Sequence, residues 1–196
     1  MPEDLPELDG IGTRGEHLLT THARLLERWR KAMNLVGPGP IAAHYEDANR
    51  ALKGFRPSPG RWVDLGTGAG FPGIVFAAMH PDLPLELVDS RQKRTRFLEE
   101  VLAEADWQGV DVLCTRHETL PEGAYAGVMS RALHAPERMV EVARRLLVPG
   151  GTLLLFLQDD APIPTDIDLE VFHVEHYVVD GRPRKLAASR LGSPVR

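Results

Sequence analysis

Cysteine is all but absent from this chain. Cys114 is the only one, which excludes an intramolecular disulfide framework and a cysteine-built metal cluster. A reducing compartment fits that count. No apolar run approaches the roughly 20 residues that span a bilayer. The opening Met1-Pro2-Glu3-Asp4-Leu5 is acidic and has neither the basic start nor the apolar stretch of a secretory signal. The expectation is a cytoplasmic protein with no membrane attachment. An excess of positive charge is missing too: 28 acidic against 23 basic residues leave a formal charge of -5. Any nucleic-acid function must therefore rest on a local basic patch and not on bulk charge. The eight histidines form no His-Glu-x-x-His or comparable ligand set, so no metal is expected.

What is present suits one compact domain with a small appendage, since 196 residues are enough to bury a real core. The first dozen residues, rich in Pro, Gly and acids, read as a mobile lead-in. From Arg14 to about Leu35, apolar Leu18, Leu19, Leu25, Leu26, Trp29 and Met33 recur at helical spacing. Gly37-Pro38-Gly39-Pro40 ends that helix, and a second runs from Ile41 to about Leu52 before Pro57-Ser58-Pro59-Gly60. Residues 1–56 are thus expected to form an N-terminal helical extension, and 57–196 the core.

Within the core, short apolar runs alternate with helical stretches. Strands are predicted at Trp62–Leu65, Leu85–Asp89, Val110–Cys114, Val128–Ser130 and Thr152–Leu157, with helices near Pro72–Met79, Lys93–Ala105 and Glu137–Leu147. That alternation predicts an α/β fold, a mostly parallel sheet with helices on its faces. The tail differs: Leu169–Val179 and Lys185–Ser189 flank Asp180-Gly181, a strong hairpin-turn dipeptide.

The most informative stretch is Val63-Asp64-Leu65-Gly66-Thr67-Gly68-Ala69-Gly70-Phe71-Pro72-Gly73. A strand ends in a glycine-rich turn at the carboxyl edge of the sheet, where doubly wound folds bind ligands. Pro72 can sit in the first turn of the next helix, where its missing N–H is harmless. Gly68, Gly70 and Gly73 satisfy G-x-G-x-x-G, and Asp89 follows at a separation suited to a ribose-binding acid. A nicotinamide dinucleotide is therefore one reading. Asp64, Gly66, Gly68 and Gly70 equally satisfy the Asp-x-Gly-x-Gly-x-Gly arrangement of S-adenosylmethionine sites. The C-terminal hairpin, as in the Rossmann-like class I methyltransferases, and the short remaining chain favour the methyl donor.

Four segments in order then carry a resemblance: Trp29-Arg30-Lys31-Ala32-Met33-Asn34-Leu35, the Asp64–Gly73 loop, Asp89-Ser90-Arg91-Gln92-Lys93-Arg94 with Phe97-Leu98, and Ser130-Arg131-Ala132. Together they resemble the RsmG (GidB) family, which methylates N7 of a guanine in bacterial small-subunit ribosomal RNA. The resemblance implies S-adenosylmethionine as cofactor, and ribosomal RNA or an assembling small subunit as partner. It implies that Gly66 and Phe71 line the methionine and ribose side of the pocket, Asp89 binds ribose hydroxyls, and His117 and Glu118 flank adenine. Arg131 would face both cofactor and substrate. The chain departs from the family at the end of the fifth strand, where Gln158-Asp159-Asp160 replaces a lysine and glycine. Acids there would repel phosphate or place negative charge near the donor. His44-Tyr45-Glu46-Asp47-Ala48 echoes a family His-x-x-Asp-Ser with alanine for serine.

Guanine N7 carries a lone pair and no proton, so methylation there needs positioning and no general base. Pyrimidine C5 chemistry commonly uses a cysteine nucleophile, but Cys114 lies in an apolar run and is expected to be core. Trp29 and Leu25 also read as helix core. Arg24, Arg28, Arg30 and Lys31 suit either a solvated face or an RNA contact. Arg91, Lys93, Arg94 and Arg96, with Arg131 and the tail's Arg182, Arg184, Lys185 and Arg190, supply the local basic patch that an acidic RNA-binding protein needs. A same-fold methyltransferase on another substrate, an NAD-binding oxidoreductase and a non-catalytic RNA-associated module are the competing readings. A monomer is expected.

Overall fold

The computed structural model describes residues 5–33, 39–131, 133–166 and 168–192, with the backbone alone for 30–33. Met1-Pro2-Glu3-Asp4, the motif residues Asn34 and Leu35, the breaker residues Gly37-Pro38, and Ala132 lie outside the described residues, as do the side chains of Arg30, Lys31 and Met33.

Helical periodicity places α1 at Thr13–Met33. Its apolar stripe is fully buried at Leu18, Leu25 and Leu26, with Trp29 partly covered, and it packs on α3 (Gly73–Met79) and α4 (Gln92–Glu104). The shorter α2 (Ala42–Leu52) buries Tyr45, Ala48 and Leu52. Both helices share one continuous core with α3, α4 and one face of the sheet.

That sheet contains β1 (Trp62–Leu65), β2 (Leu85–Asp89), β3 (Val110–Cys114), β4 (Tyr125–Arg131), β5 (Leu147–Gln158), β6 (Leu169–Val179) and β7 (Arg182–Leu191). Its spatial order is β3-β2-β1-β4-β5-β7-β6. The first five strands are parallel, and β7 runs antiparallel between β5 and β6. The central strands are apolar on both faces, as a sheet covered on both sides requires. Trp62 points into the core under α1–α4, whereas Val63 and Leu65 point to the other face, which α5 (Pro136–Leu146) covers with Met139, Ala143 and Leu146. The expected hairpin is present. Asp180 (φ 49°) and Gly181 (φ 69°) form a two-residue turn with positive φ at both positions, the geometry that matches the twist of paired strands.

The structure corrects three expectations. Cys114 is exposed and not core, because it ends β3, the edge strand, whose burial is only partial along its length. Pro72 precedes α3 and does not lie inside it; its carbonyl accepts the Phe76 N–H at 3.0 Å. The fourth and fifth strands run further back than their apolar segments, to Tyr125 and Leu147, because an irregularity in their pairing accommodates Pro149-Gly150-Gly151 within the strand.

Candidate active site

Two clefts open side by side at the carboxyl ends of the parallel strands, and His134 lines both. The first, about 420 Å³, is walled by Gly66, Asp89, Arg94, His117, Glu118 and Leu133. The second, about 510 Å³, is walled by His44, Asp47, Arg131, Gln158, Tyr177 and Arg184, among others. Both volumes lie in the range of small-molecule sites.

The glycine loop forms the floor of the first cleft. Gly66 and Thr67 donate their N–H groups to Val88 O at 2.8 and 3.0 Å, tying the loop to the end of β2. Gly68 has φ +62°, the left-handed conformation that glycine adopts without strain, and a Cβ there would sit in ordinary contact with Gly66 O at 3.8 Å and Arg94 Nη1 at 3.9 Å. Asp89 projects beside it, its side chain 4% exposed. Its Oδ2 accepts from Gly68 N–H at 3.1 Å and from Arg94 at 3.0 Å, and its Oδ1 from Arg91 N–H at 2.9 Å. A carboxylate offers about four acceptor sites, so one remains for a ligand hydroxyl.

At the opposite wall, Arg145 of α5 donates to the carbonyls of His117 and Leu120 and so holds the short turn after β3 in place. His117 Nε2 stands 3.1 Å from His134 Nε2, and its Nδ1 is buried without a partner. Glu118 is exposed beside it. Burial, more than any neighbouring charge, lowers the His117 pKa, which favours the neutral ring that one imidazole needs in order to accept from the other.

Of the residues expected at the cofactor, Asp64, Gly68, Gly70, Phe71 and Arg131 do not line the first cleft. Asp64 is fully buried beneath the loop, where Oδ2 accepts from Thr67 Oγ1 at 2.7 Å and from Gly73 N–H at 2.9 Å, while Oδ1 has no partner. It organises the loop from below. Gly70 faces inward, where a Cβ would stand 2.7 Å from Ile74 and 2.8 Å from Leu98. Phe71 is buried against His22, His44 and Tyr45. Arg131 stands over the Phe71 ring at 5.4 Å and opens to the second cleft.

The acids at the end of β5 do not stand where they were expected to interfere. Gln158 lines the second cleft, but Asp159 turns to the hairpin, its carboxylate 2.6 Å from His176 Nδ1 and its carbonyl accepting from Lys185 Nζ at 2.6 Å. Asp160 is exposed. Of the tail cations, Arg182 and Arg184 line the second cleft, while Arg190 covers the Phe172 ring.

Sequence reasoning passed over His22. It is fully buried, its Nε2–H donating to Ala69 O at 2.6 Å and its Nδ1 accepting from Tyr45 Oη. The neutral ring protonated at Nε2 satisfies both bonds, and burial, which lowers the imidazole pKa, favours that form. Its one trace in the sequence is a polar residue inside the buried face of an amphipathic helix. Asp47, noted only as part of the His44–Ala48 echo, accepts from Arg131, and Tyr177, which was passed over, donates to Asp47 from a distant element.

Burial drives His22 and Asp64 in opposite senses, pushing the imidazole down to about 4 and the carboxyl up to about 6. Between pH 4 and 6 the unfolded chain protonates His22 while the fold does not, so that group makes stability rise with pH. Over the same window the fold retains a proton on Asp64 that the unfolded chain has lost, so Asp64 makes stability fall with pH. The two slopes oppose one another. Asp64→Asn removes one of them, and its stability relative to the native chain should climb with pH by on the order of 1 kcal/mol per unit across that window. Urea titrations at pH 4, 5 and 6 check this, and a constant difference between the two chains refutes it.

Comparison with known proteins adds a family. The model for "GidB: rRNA small subunit methyltransferase G" matches residues 16–162, a span that takes in the glycine loop, Asp89, His117 and Arg131. The ribosomal RNA small subunit methyltransferase G of Paracoccus denitrificans is 37% identical over 147 residues, covering 73% of this chain and 76% of that relative. Its namesake from Leptothrix cholodnii is 30% identical over 192 residues, covering 87% and 88%. Among solved structures, a SAM-dependent methyltransferase from Aquifex aeolicus aligns with a TM-score of 0.58 at 16% identity, over 86% of this chain and 97% of that one. That likeness speaks to fold alone, and the fold is the class I methyltransferase fold expected from the alternating core and its terminal hairpin. The chain belongs to the rRNA small subunit methyltransferase G family.

Proposed function

We infer that this protein transfers a methyl group from S-adenosylmethionine to N7 of a guanine in small-subunit ribosomal RNA. The observation that carries the reading is the pair of adjoining clefts at the strand ends. One is fitted to a nucleoside and the other is open to a base, with Arg131 rising between the loop and the second cleft. The residues fit the cofactor. A carboxylate with a vacant acceptor site suits a ribose hydroxyl, Gly66 at the cleft wall leaves the backbone without a side chain, and His117 and Glu118 line the same cleft and would flank adenine. Bound S-adenosylmethionine supplies an electrophilic methyl group on a positively charged sulfur.

In this reading Asp89 holds the ribose, while Gly66, where a Cβ would meet Leu133 at 2.8 Å, lines the methionine side. Arg131 faces donor and acceptor. The second cleft aligns the guanine, and since N7 presents a free lone pair, alignment is the main contribution asked of the protein. Arg182 and Arg184 at that cleft, and Arg91 and Arg116 at the first, are placed to meet backbone phosphates. This gives an acidic protein a basic face where RNA must approach. The helical extension, residues 1–56, supplies His44 and Asp47 to the substrate side. A ribosomal substrate sets the reaction in the cytoplasm, on naked RNA or on an assembling small subunit. One chain holds both clefts, so a monomer suffices. Among the described residues, no helix is long and apolar enough to cross a membrane.

The test is transfer of radiolabelled methyl from S-adenosylmethionine to small-subunit ribosomal RNA, offered both naked and in particles lacking the modification. Label recovered as 7-methylguanine, and much reduced by Arg131→Ala, is the expected result. Label in a small molecule with every RNA form inert overturns the reading.

A further inference from the structure

Arg131 does not stand alone. Its Nη1 lies 3.1 Å from Asp47 Oδ2, and the other oxygen of the same carboxylate accepts from Tyr177 Oη at 3.1 Å. The three side chains come from β4, α2 and β6, and all three line the second cleft. The Asp47 and Arg131 side chains are 15% and 25% exposed, so the pair is largely withdrawn from water while its guanidinium still reaches the cleft. Below it, Phe71 is wedged between His44 and Tyr45 and gives the guanidinium a fixed face to rest on.

Two physical problems attend an arginine in this place. Its long side chain has many rotamers, and a residue used for alignment must be confined to one of them. It also carries the same charge as a sulfonium, and like charges in a partly desolvated site repel strongly. A carboxylate answers both problems, because it neutralises the guanidinium and ties it to a second element. The phenol of Tyr177 answers the first alone. It donates to Asp47 without changing the net charge, and burial first, then Asp47, hold its pKa high enough that the proton stays on oxygen.

We propose that Asp47 is the counter-ion that lets Arg131 stand beside a cationic methyl donor, and that Tyr177 is the positioning residue that fixes Asp47. The proposal rests on the reading that Arg131 faces the donor. It makes the wall of the second cleft, where Arg131 would face the donor, a product of three parts of the chain, since the strand that bears the arginine carries neither its charge partner nor its anchor.

The experiment compares calorimetric affinities for S-adenosylmethionine and S-adenosylhomocysteine, which differ by a methyl group and one positive charge at sulfur. It needs no RNA. In Asp47→Asn the ratio of the two dissociation constants shifts by about tenfold against the charged donor, as an unpaired like charge facing the sulfonium requires. In Arg131→Ala the ratio shifts the other way, because Asp47 is left unpaired. The double variant returns towards the native ratio. Tyr177→Phe leaves the ratio unchanged and lowers kcat for methyl transfer by roughly three- to tenfold through looser alignment. A merely structural pair would lower the melting temperature of the variants and leave the ratio alone, and that outcome overturns the proposal. Should Arg131→Ala leave both the ratio and transfer to RNA unaffected, the reading of Arg131 itself fails. Should it cripple transfer while Asp47→Asn is silent, the reading stands and the counter-ion role falls.

Discussion

Asp89→Ala should weaken S-adenosylmethionine binding by about 10²-fold, the equivalent of one or two lost hydrogen bonds to a charged acceptor. Asp89 sits at the carboxyl end of β2, almost fully buried, and its oxygens already accept from Gly68, Arg91 and Arg94. Removing the carboxylate therefore acts twice. A ribose hydroxyl loses its acceptor, and the loop N–H of Gly68 and the cation of Arg94 lose the group that orients them towards the cleft. Asp89→Asn separates the two contributions, since an amide oxygen can still accept one of those bonds but carries no charge. Its loss should be smaller than that of alanine. Calorimetry on both variants, with circular dichroism to show that overall helix content is retained, reads the result. Native affinity in Asp89→Ala would remove Asp89 from the cofactor site.

The second large effect is on stability and lies away from the chemistry. Gly127→Ala places a Cβ between 2.1 and 2.3 Å from three atoms of the Trp62 ring. Trp62 cannot yield. It is fully buried, donates Nε1–H to Ser58 O at 3.0 Å, and packs against Phe55 and Phe76. Neither backbone can move far, because Gly127 and Trp62 are register partners in the parallel pairing of β4 with β1. Overpacking of this kind costs about 3 kcal/mol or more, and for a domain of this size that is a drop in melting temperature of roughly 6–12 °C. The folded fraction should keep its affinity for S-adenosylmethionine, since neither residue lines a cleft. A melting temperature within a degree or so of native would mean that the sheet flexes here far more than its burial implies.

Much of the first cleft was legible because its parts are local. The glycine loop, the acid that ends β2 and the turn after β3 are each short segments whose residue types state their purpose, and parallel strands bring them to one edge of the sheet. Asp64 and Gly70 were read correctly as parts of the loop, but which of them face the ligand depends on which side of the loop the helix α3 docks. Cys114 was misplaced for a related reason. An apolar run signals a strand, but not whether that strand lies at the centre or the edge of the sheet. The departure at Gln158-Asp159-Asp160 looked like an obstacle in sequence, yet Asp159 is drawn aside by Lys185 and His176 of the hairpin, a pairing that no local pattern announces.

Read alone, the amino-acid order determined the α/β alternation, the hairpin at Asp180-Gly181, the cofactor loop and the family, because all of these follow from periodicity, turn chemistry and motifs within a few residues of one another. Only the tertiary structure decided that His22 holds the loop from the core, that Asp47 pairs with Arg131, and that Tyr177, 130 residues from Asp47, donates to that same carboxylate. Such contacts depend on how α1 and α2 pack against the sheet and on where the hairpin returns. Their free energy comes from burial and charge pairing between distant segments, which the spacing of residues along the chain does not encode.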